Sequence, residues 1–123
     1  MRNFVVPVLA VLLIASIATS AKAERTEWFE GKDRYEITKR LKGKLLLEIE
    51  CRDSKTPGLH LARDEFRVTY TDNPTSKKFT WAIGNHYGRY KHWADKNGYK
   101  LVSINQYTRA SGLKIRCAVW HKK

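Results

Sequence analysis

The residues of this chain best suited to acid–base chemistry are its four histidines, His60, His86, His92 and His121. An imidazole changes charge near neutral pH, and two imidazoles placed across a phosphate can act as general base and general acid. His92 and His121 flank the best-patterned stretch of the chain and form the pair to test. No spacing ties either one to a further catalytic group, so we expect no catalytic residue. A small basic nuclease-like hydrolase using His92 and His121 is kept as the alternative function.

Basic and aromatic side chains are interleaved in the second half of the chain. Such a mixture can hold nucleic acid or glycans, because cations pair with anionic groups while rings stack on bases or sugars. Most of the rings are expected in the core, and Trp120 and Tyr107 are the two predicted to be exposed. In a strand, Trp120 shares its face with Lys114 and Arg116, opposite Cys117. The predicted binding residues are Lys114, Arg116, Trp120, Arg109 and Tyr107.

The charge of the whole chain points to the same class of partner. The 24 basic and 12 acidic residues give a formal net charge of +12. A positive field of this kind favours nucleic acid, acidic envelope polymers or anionic lipid. The alternative is a basic charge that serves only solubility.

Residues 1–23 have the features of a secretory signal peptide. Arg2 supplies a positive n-region, Phe4 to Ile17 is apolar and uncharged, and Ala21-Lys22-Ala23 is an A-x-A cleavage site. The alternative is an uncleaved anchor, although the stretch is near the lower length limit for a spanning helix. Cleavage after Ala23 predicts a single secreted or periplasmic domain, residues 24–123, without stable membrane insertion.

Cys51 and Cys117 are predicted to form a disulfide. An exported chain meets oxidising conditions, in which an even number of cysteines pairs by default. Both residues also fall on the apolar faces of predicted strands. The alternative is two buried free thiols. Neither cysteine belongs to a C-x-x-C pair and no H-x-x-x-H accompanies them, so we expect no metal site and no cofactor.

Alternation of apolar and polar residues predicts five strands. They are Lys44–Cys51, Glu65–Thr71, Lys78–Ile83, Tyr99–Thr108 and Leu113–His121. The second and third strands, and the fourth and fifth, are each predicted to form a hairpin. The core faces are predicted to carry Leu45, Leu47, Ile49 and Cys51 in the first strand and Leu113, Ile115, Cys117 and Val119 in the last.

One helix is predicted before Gly98. Asn85 fits the N-cap, and Tyr87, Tyr90, Trp93 and Ala94 fall at spacings of three and four, which forms one aromatic-rich face. Gly98 suits the left-handed position after the helix. Tyr35-Glu36-Ile37 fits a short strand, or Asp33–Leu41 fits a helical turn. Arg52–Arg63 is predicted to be the main loop. The fold class is therefore α+β, a small antiparallel sheet of about five strands with one helix packed on a face.

From Gly98 onward the chain resembles the bacterial tandem-repeat modules found in polyglycine hydrolases. Those modules carry a helix, a G-Y-[RK]-L-x-x-[IV] strand, a tyrosine, a glycine turn and a strand ending A-[AV]-[IV]-W. The matching residues are Gly98, Tyr99, Lys100, Leu101, Ile104, Tyr107, Gly112, Ala118, Val119 and Trp120. The match covers the C-terminal third of the chain in one copy, whereas the modules normally occur in series, and Cys117 departs from the pattern. The resemblance implies a structural or recognition role without catalytic residues.

Together these features predict an exported, non-catalytic structural or binding module with a basic surface. Its expected partner is an anionic polymer, a glycan or a protein at the cell envelope, and nucleic acid also fits the charge.

Overall fold

The computed structural model of this chain describes residues 22–30, 34–54 and 64–123. The predicted signal peptide up to Ala21, most of the predicted Arg52–Arg63 loop and His60 lie outside the described residues. Within those three ranges, no helix is both long enough and apolar enough to cross a membrane.

The described chain forms seven strands and two helices. In chain order they are β1 (Glu24–Arg25), β2 (Phe29–Glu30), α1 (Arg34–Arg40), β3 (Lys44–Asp53), β4 (Asp64–Asp72), β5 (Phe79–Gly84), α2 (Tyr87–Lys96), β6 (Tyr99–Thr108) and β7 (Lys114–Lys122). All strand pairs are antiparallel, as predicted. The prediction of a single sheet with one helix is wrong. The strands divide into two sheets, and residues 34–40 form a second helix.

Each sheet is built around one central strand. In sheet A, β4 pairs with β3 along one edge and with β1 and β2 in succession along the other. In sheet B, β7 lies between β5 and β6. The β6–β7 hairpin is confirmed, whereas the hairpin predicted between β4 and β5 does not form. Both edges of β4 are already occupied, so β5 crosses to the other sheet and pairs with β7.

The main core lies between the two sheets and α1. Its buried apolar residues are Ile37, Leu41, Leu46, Ile49, Cys51, Phe66, Val68, Ile115, Cys117 and Val119. The predicted Cys51–Cys117 disulfide is confirmed and joins β3 of sheet A to β7 of sheet B, with 6.4 Å between the two Cα atoms. The bridge closes a loop of 66 residues, for which chain entropy in the unfolded state predicts a contribution of about 4 kcal/mol.

A β-bulge changes which leucines of β3 enter the core. The register against β4 shifts between Leu46 and Glu48, so Leu47 is an extra residue without a partner. An extra residue reverses the alternation of faces. Leu46 is therefore fully buried, and the prediction that Leu45 and Leu47 face the core is wrong. Leu113, also predicted in the core, precedes β7 and is exposed.

Helix α2 packs on the side of sheet B that faces away from sheet A, which we call the outer face. Alanine at positions 82, 94 and 118 keeps this contact thin, so the helix lies close to the sheet. Trp120 fills the remaining space. The helix begins after His86 rather than Asn85, and His86 makes no side-chain capping bond. Gly98 follows the helix with a φ of 79°, as predicted for a left-handed terminating residue.

Candidate binding surface

The net positive charge of the domain is confined to one half of the fold. Residues 73–123, which include β5, α2, β6 and β7, carry eleven basic residues and a single acidic one, Asp95. Residues 24–72 carry eleven basic and eleven acidic residues. Because sheet B and α2 come from one continuous segment, the uneven charge along the chain becomes an uneven charge between two layers. The surface of sheet B and α2 is therefore the part of the molecule that would attract an anion.

The acidic side chains of sheet A are largely used in local pairs. Arg67 binds Glu50 through two hydrogen bonds, with Nε–Oε2 and Nη2–Oε1 distances of 2.7 and 2.9 Å. The hydrogen bond from Arg67 and the nearby positive charges hold the pKa of Glu50 below its usual value, against the opposing effect of burial. Lys44 pairs with Asp72 at 2.7 Å. Such pairs leave sheet A without a strong field of either sign.

Helix α2 presents a basic and aromatic face to solvent. Tyr87, Tyr90 and Ala94 lie on the side packed against sheet B. The exposed side carries four residues at spacings of three and four: Arg89, His92, Trp93 and Lys96. The spacing of 3.6 residues per turn thus divides the helix into a packed face and a cationic face.

Trp93 forms the exposed aromatic platform of this layer. Its side chain is 46% exposed, and its ring stacks on Tyr99 with 5.6 Å between centroids and 25° between planes. The Lys122 ammonium lies 4.9 Å from the Tyr99 ring centroid. A ring held in place by a neighbouring ring, with a cation beside it, can stack on a sugar or a base.

Trp93 is not among the predicted binding residues, because its helical spacing groups it with the packed aromatic residues of the helix. The sequence did contain a signal, since Trp93 lies one residue, or about 100°, around the helix from Ala94. A residue at that angle falls at the margin of the packed face, where one side of a large ring can remain in solvent.

The structure places Lys114 and Arg116 on the outer face of sheet B. Lys114 is exposed at the start of β7, and Arg116 is half-buried beside the first turn of α2. The Arg116 guanidinium carbon lies 5.6 Å from the Tyr87 ring centroid, and its Nε donates a 3.3 Å hydrogen bond to Gln106 Oε1. These two cations therefore extend the charged face of α2 onto the sheet.

The other two predicted binding rings are not exposed. Trp120 has 0% exposure beneath α2, where its ring stacks on Tyr87 at 5.9 Å. The prediction of an exposed Trp120 is wrong because β7 is the central strand and both of its faces are covered. Tyr107 is half-buried on the inner face of β6, packs against the main core, and has a buried hydroxyl.

Arg109 is used within the protein. Its Nε and Nη2 donate to the two carboxylate oxygens of Asp64 at 3.0 and 2.6 Å. The same hydrogen bonds raise the pKa of Arg109 above its ordinary value. Arg109 thus ties the β6–β7 hairpin of sheet B to the start of β4 in sheet A, and its charge is already neutralised.

His92 and His121 lie on opposite sides of sheet B. His92 is exposed on α2, over the outer face. His121 is only 9% exposed on the inner face, and its Nε2 lies 2.7 Å from the Leu46 carbonyl oxygen, to which it donates. The sheet separates the two rings, so they cannot act together on one phosphate. The pairing on which the alternative hydrolase depended is not present.

Among the described residues, no group of three or more His, Cys, Asp or Glu side chains could hold a metal ion. Comparison with protein families, with curated proteins and with solved structures finds no match to this chain. The resemblance to tandem-repeat modules stays a prediction, and function is inferred from charge and geometry.

Proposed function

We propose that this protein is an exported, non-catalytic binding module that holds an extended anionic polymer across the outer side of sheet B. The residues assigned to this basic surface are Arg89, Trp93, Lys96, Lys114, Arg116 and Lys122. The observation that carries the proposal is that the net charge of residues 24–123 comes entirely from residues 73–123, where Asp95 is the one acidic residue. A chain that needed charge only for solubility would have no reason to keep it in one layer.

The shape of the surface favours a polymer over a small anion. Helix α2 has ten residues and is therefore about 15 Å long. Arg116 lies at its first turn, while Lys96 and Lys122 lie near its last. The cleft lined by His86, Tyr87 and Arg116 at the start of the helix has a volume of only about 30 Å³, enough for a single water molecule. A line of separated cations suits a chain of regularly spaced negative groups.

Trp93 adds the uncharged part of recognition. Its exposed ring stacks on Tyr99, and the Lys122 ammonium lies beside the same Tyr99 ring. A sugar or base of the polymer stacks there, while the cations set the position of the anionic groups. The confirmed disulfide is compatible with a periplasmic or extracellular location. Export by the predicted leader would bring the module to anionic polymers of the cell envelope.

The proposal is tested with a fluorescently labelled heparin oligosaccharide, whose binding is followed by polarisation at increasing salt. Affinity should fall steeply with salt, because binding releases condensed counterions. In the Arg89→Gln/Lys96→Gln variant, the slope of log K against log salt should become shallower by about 0.7–0.9 for each lost contact.

The matched control is Arg25→Gln/Lys44→Gln, which removes two charges from the neutral half of the fold. Both residues form ion pairs at the surface, of a kind worth little to stability. An equal effect of the two double variants would show that only net charge matters and would contradict a defined surface. A labelled oligothymidylate of equal charge shows whether glycan or nucleic acid is preferred.

A further inference from the structure

A second feature of the fold is a cavity on the inner side of β5, remote from the basic surface. Strand β3 of sheet A packs across β6 and β7 of sheet B. The third strand, β5, is at the edge of sheet B, and its inner-face rings Phe79 and Trp81 pack against the core that contains Ile37 and Leu41 of the α1 region. A cavity lies beside this contact, lined by residues of β5 and of the α1 region.

The cavity has the size of a small-molecule site. Its volume is about 470 Å³, within the range of about 300–1,000 Å³ for ligand pockets. The described lining residues are Thr38, Lys39, Leu41, Lys42, Phe79 and Trp81. Leu41 is almost fully buried, and Phe79 and Trp81 are half-buried. The walls are therefore aliphatic and aromatic, and such walls hold apolar chains.

The charged residues of the described lining are both lysines. Lys39 and Lys42 are both exposed; Lys39 lies in the last turn of α1, and Lys42 lies in the turn that follows the helix. Neither forms an ion pair with any residue that the structure describes. A lysine at a helix C-terminus is favoured by the helix dipole alone. That effect does not account for two lysines, both without an ion pair to any described residue, at an apolar cavity whose described lining contains no acidic residue.

We propose that this cavity binds the alkyl chain of an amphipathic monoanion, such as a medium-chain carboxylate. The chain lies against Leu41, Phe79 and Trp81, and the carboxylate lies at the mouth between Lys39 and Lys42. Charge complementarity selects this occupant over a neutral apolar molecule or a second copy of this equally basic chain. The site uses the inner side of sheet B and does not depend on the polymer-binding proposal.

The first test titrates the exported protein with hexanoate, octanoate, decanoate and dodecanoate below their micelle concentrations, and follows tryptophan fluorescence. Each methylene that enters the cavity should strengthen binding about fourfold until the cavity is full. The protein contains four tryptophans, so the fluorescence response has to be assigned to one of them. The response should largely disappear in Trp81→Phe, which keeps an aromatic wall but removes the reporter. A response that persists unchanged would place the ligand elsewhere and overturn the assignment.

The second test distinguishes the contribution of the ligand's carboxylate from that of its alkyl chain. Lys39→Gln/Lys42→Gln should weaken dodecanoate binding about tenfold, the loss of one charge-assisted hydrogen bond or more, and leave dodecanol binding unchanged. The control Lys100→Gln/Lys123→Gln removes two exposed lysines at the β6 side of sheet B, away from β5. Equal losses in both variants, or equal affinities for dodecanoate and dodecanol, would overturn the anion site. If no chain length binds because a segment of the protein itself occupies the cavity, the proposal also fails.

Discussion

At the scale of single residues, two tryptophans have exchanged the roles that their sequence patterns indicate. Alternation along β7 correctly separates Trp120 from Cys117, but it does not reveal what covers the second face. Helix α2 covers it, so Trp120 is core. Trp93 has the helical spacing of a core residue and lies at the solvent margin. Periodicity gives the direction of a side chain, whereas its exposure depends on the neighbouring element.

This exchange predicts opposite effects for two identical substitutions. Trp120→Ala should lower the free energy of unfolding by about 3–5 kcal/mol, because it empties a fully buried site. Trp93→Ala should lower it by less, because nearly half of the residue is already in solvent and its ring stack on Tyr99 is worth about 0.5–1.5 kcal/mol. Trp93→Ala should instead weaken binding of the heparin probe by about 1–3 kcal/mol. Urea unfolding and polarisation measure the two effects. A stable Trp120→Ala protein with impaired binding would contradict both assignments.

At the scale of elements, the strands could be predicted from the sequence and their partners could not. The predicted strands correspond to β3, β4, β5, β6 and β7. Most of their ends differ from the predicted ends by one or two residues. The Asp72–Lys77 turn resembles a hairpin turn in composition. Asn73 instead bonds both the N–H and the carbonyl of Lys77, at 2.8 and 2.9 Å, and the chain passes to the other sheet. The short strands β1 and β2, which occupy the edge of β4, have too few residues to show any period.

Side chains of sheet B donate hydrogen bonds to two backbone carbonyls of β3, whose one strand partner among the described residues is β4. Asn105 Nδ2 donates to the Ile49 carbonyl at 2.9 Å, and His121 donates to the Leu46 carbonyl. The bulge at Leu47 lies between these two carbonyls in the chain. The buried polar groups on the inner face of sheet B therefore join the two layers. This explains why His121 is unsuited to chemistry, and no periodicity could have indicated it.

This arrangement predicts that Asn105 stabilises the contact between the sheets. Asn105→Ala should lower the free energy of unfolding by about 1–3 kcal/mol, because a partly buried carbonyl loses its donor. Thr108→Ala on the exposed outer side of the same strand should stay within about 0.5 kcal/mol. Both are measured by urea unfolding of the oxidised protein. Equal effects at the two positions would mean that the loss reflects β6 itself and not its contact with β3.

At the scale of the whole molecule, the fold is two layers with different charge, joined by a covalent bond. The sequence gives the number of basic and acidic residues, but it does not show where in the fold the net charge lies. The turn that sends β5 to the second sheet makes residues 73–123 one layer and thereby gives the charge a location. The same division leaves the inner side of β5 to α1 and produces the cavity. The two proposed sites thus lie on opposite faces of sheet B.

The disulfide should contribute to the stability of the two joined layers and should not affect binding at the basic surface. Cys51 and Cys117 lie on the inner side, whereas the proposed polymer site is on the outer side. Cys51→Ala/Cys117→Ala should therefore lower the free energy of unfolding by about 4 kcal/mol, close to the loop-closure value for 66 residues. At temperatures where the variant stays folded, its affinity for the heparin probe should equal that of the oxidised protein. Unfolding followed by circular dichroism, with and without reductant, gives the first quantity, and polarisation gives the second. Two alkylatable thiols in the native exported protein would contradict the covalent bond between the layers, and a loss of binding in the folded variant would show that the basic surface depends on that bond.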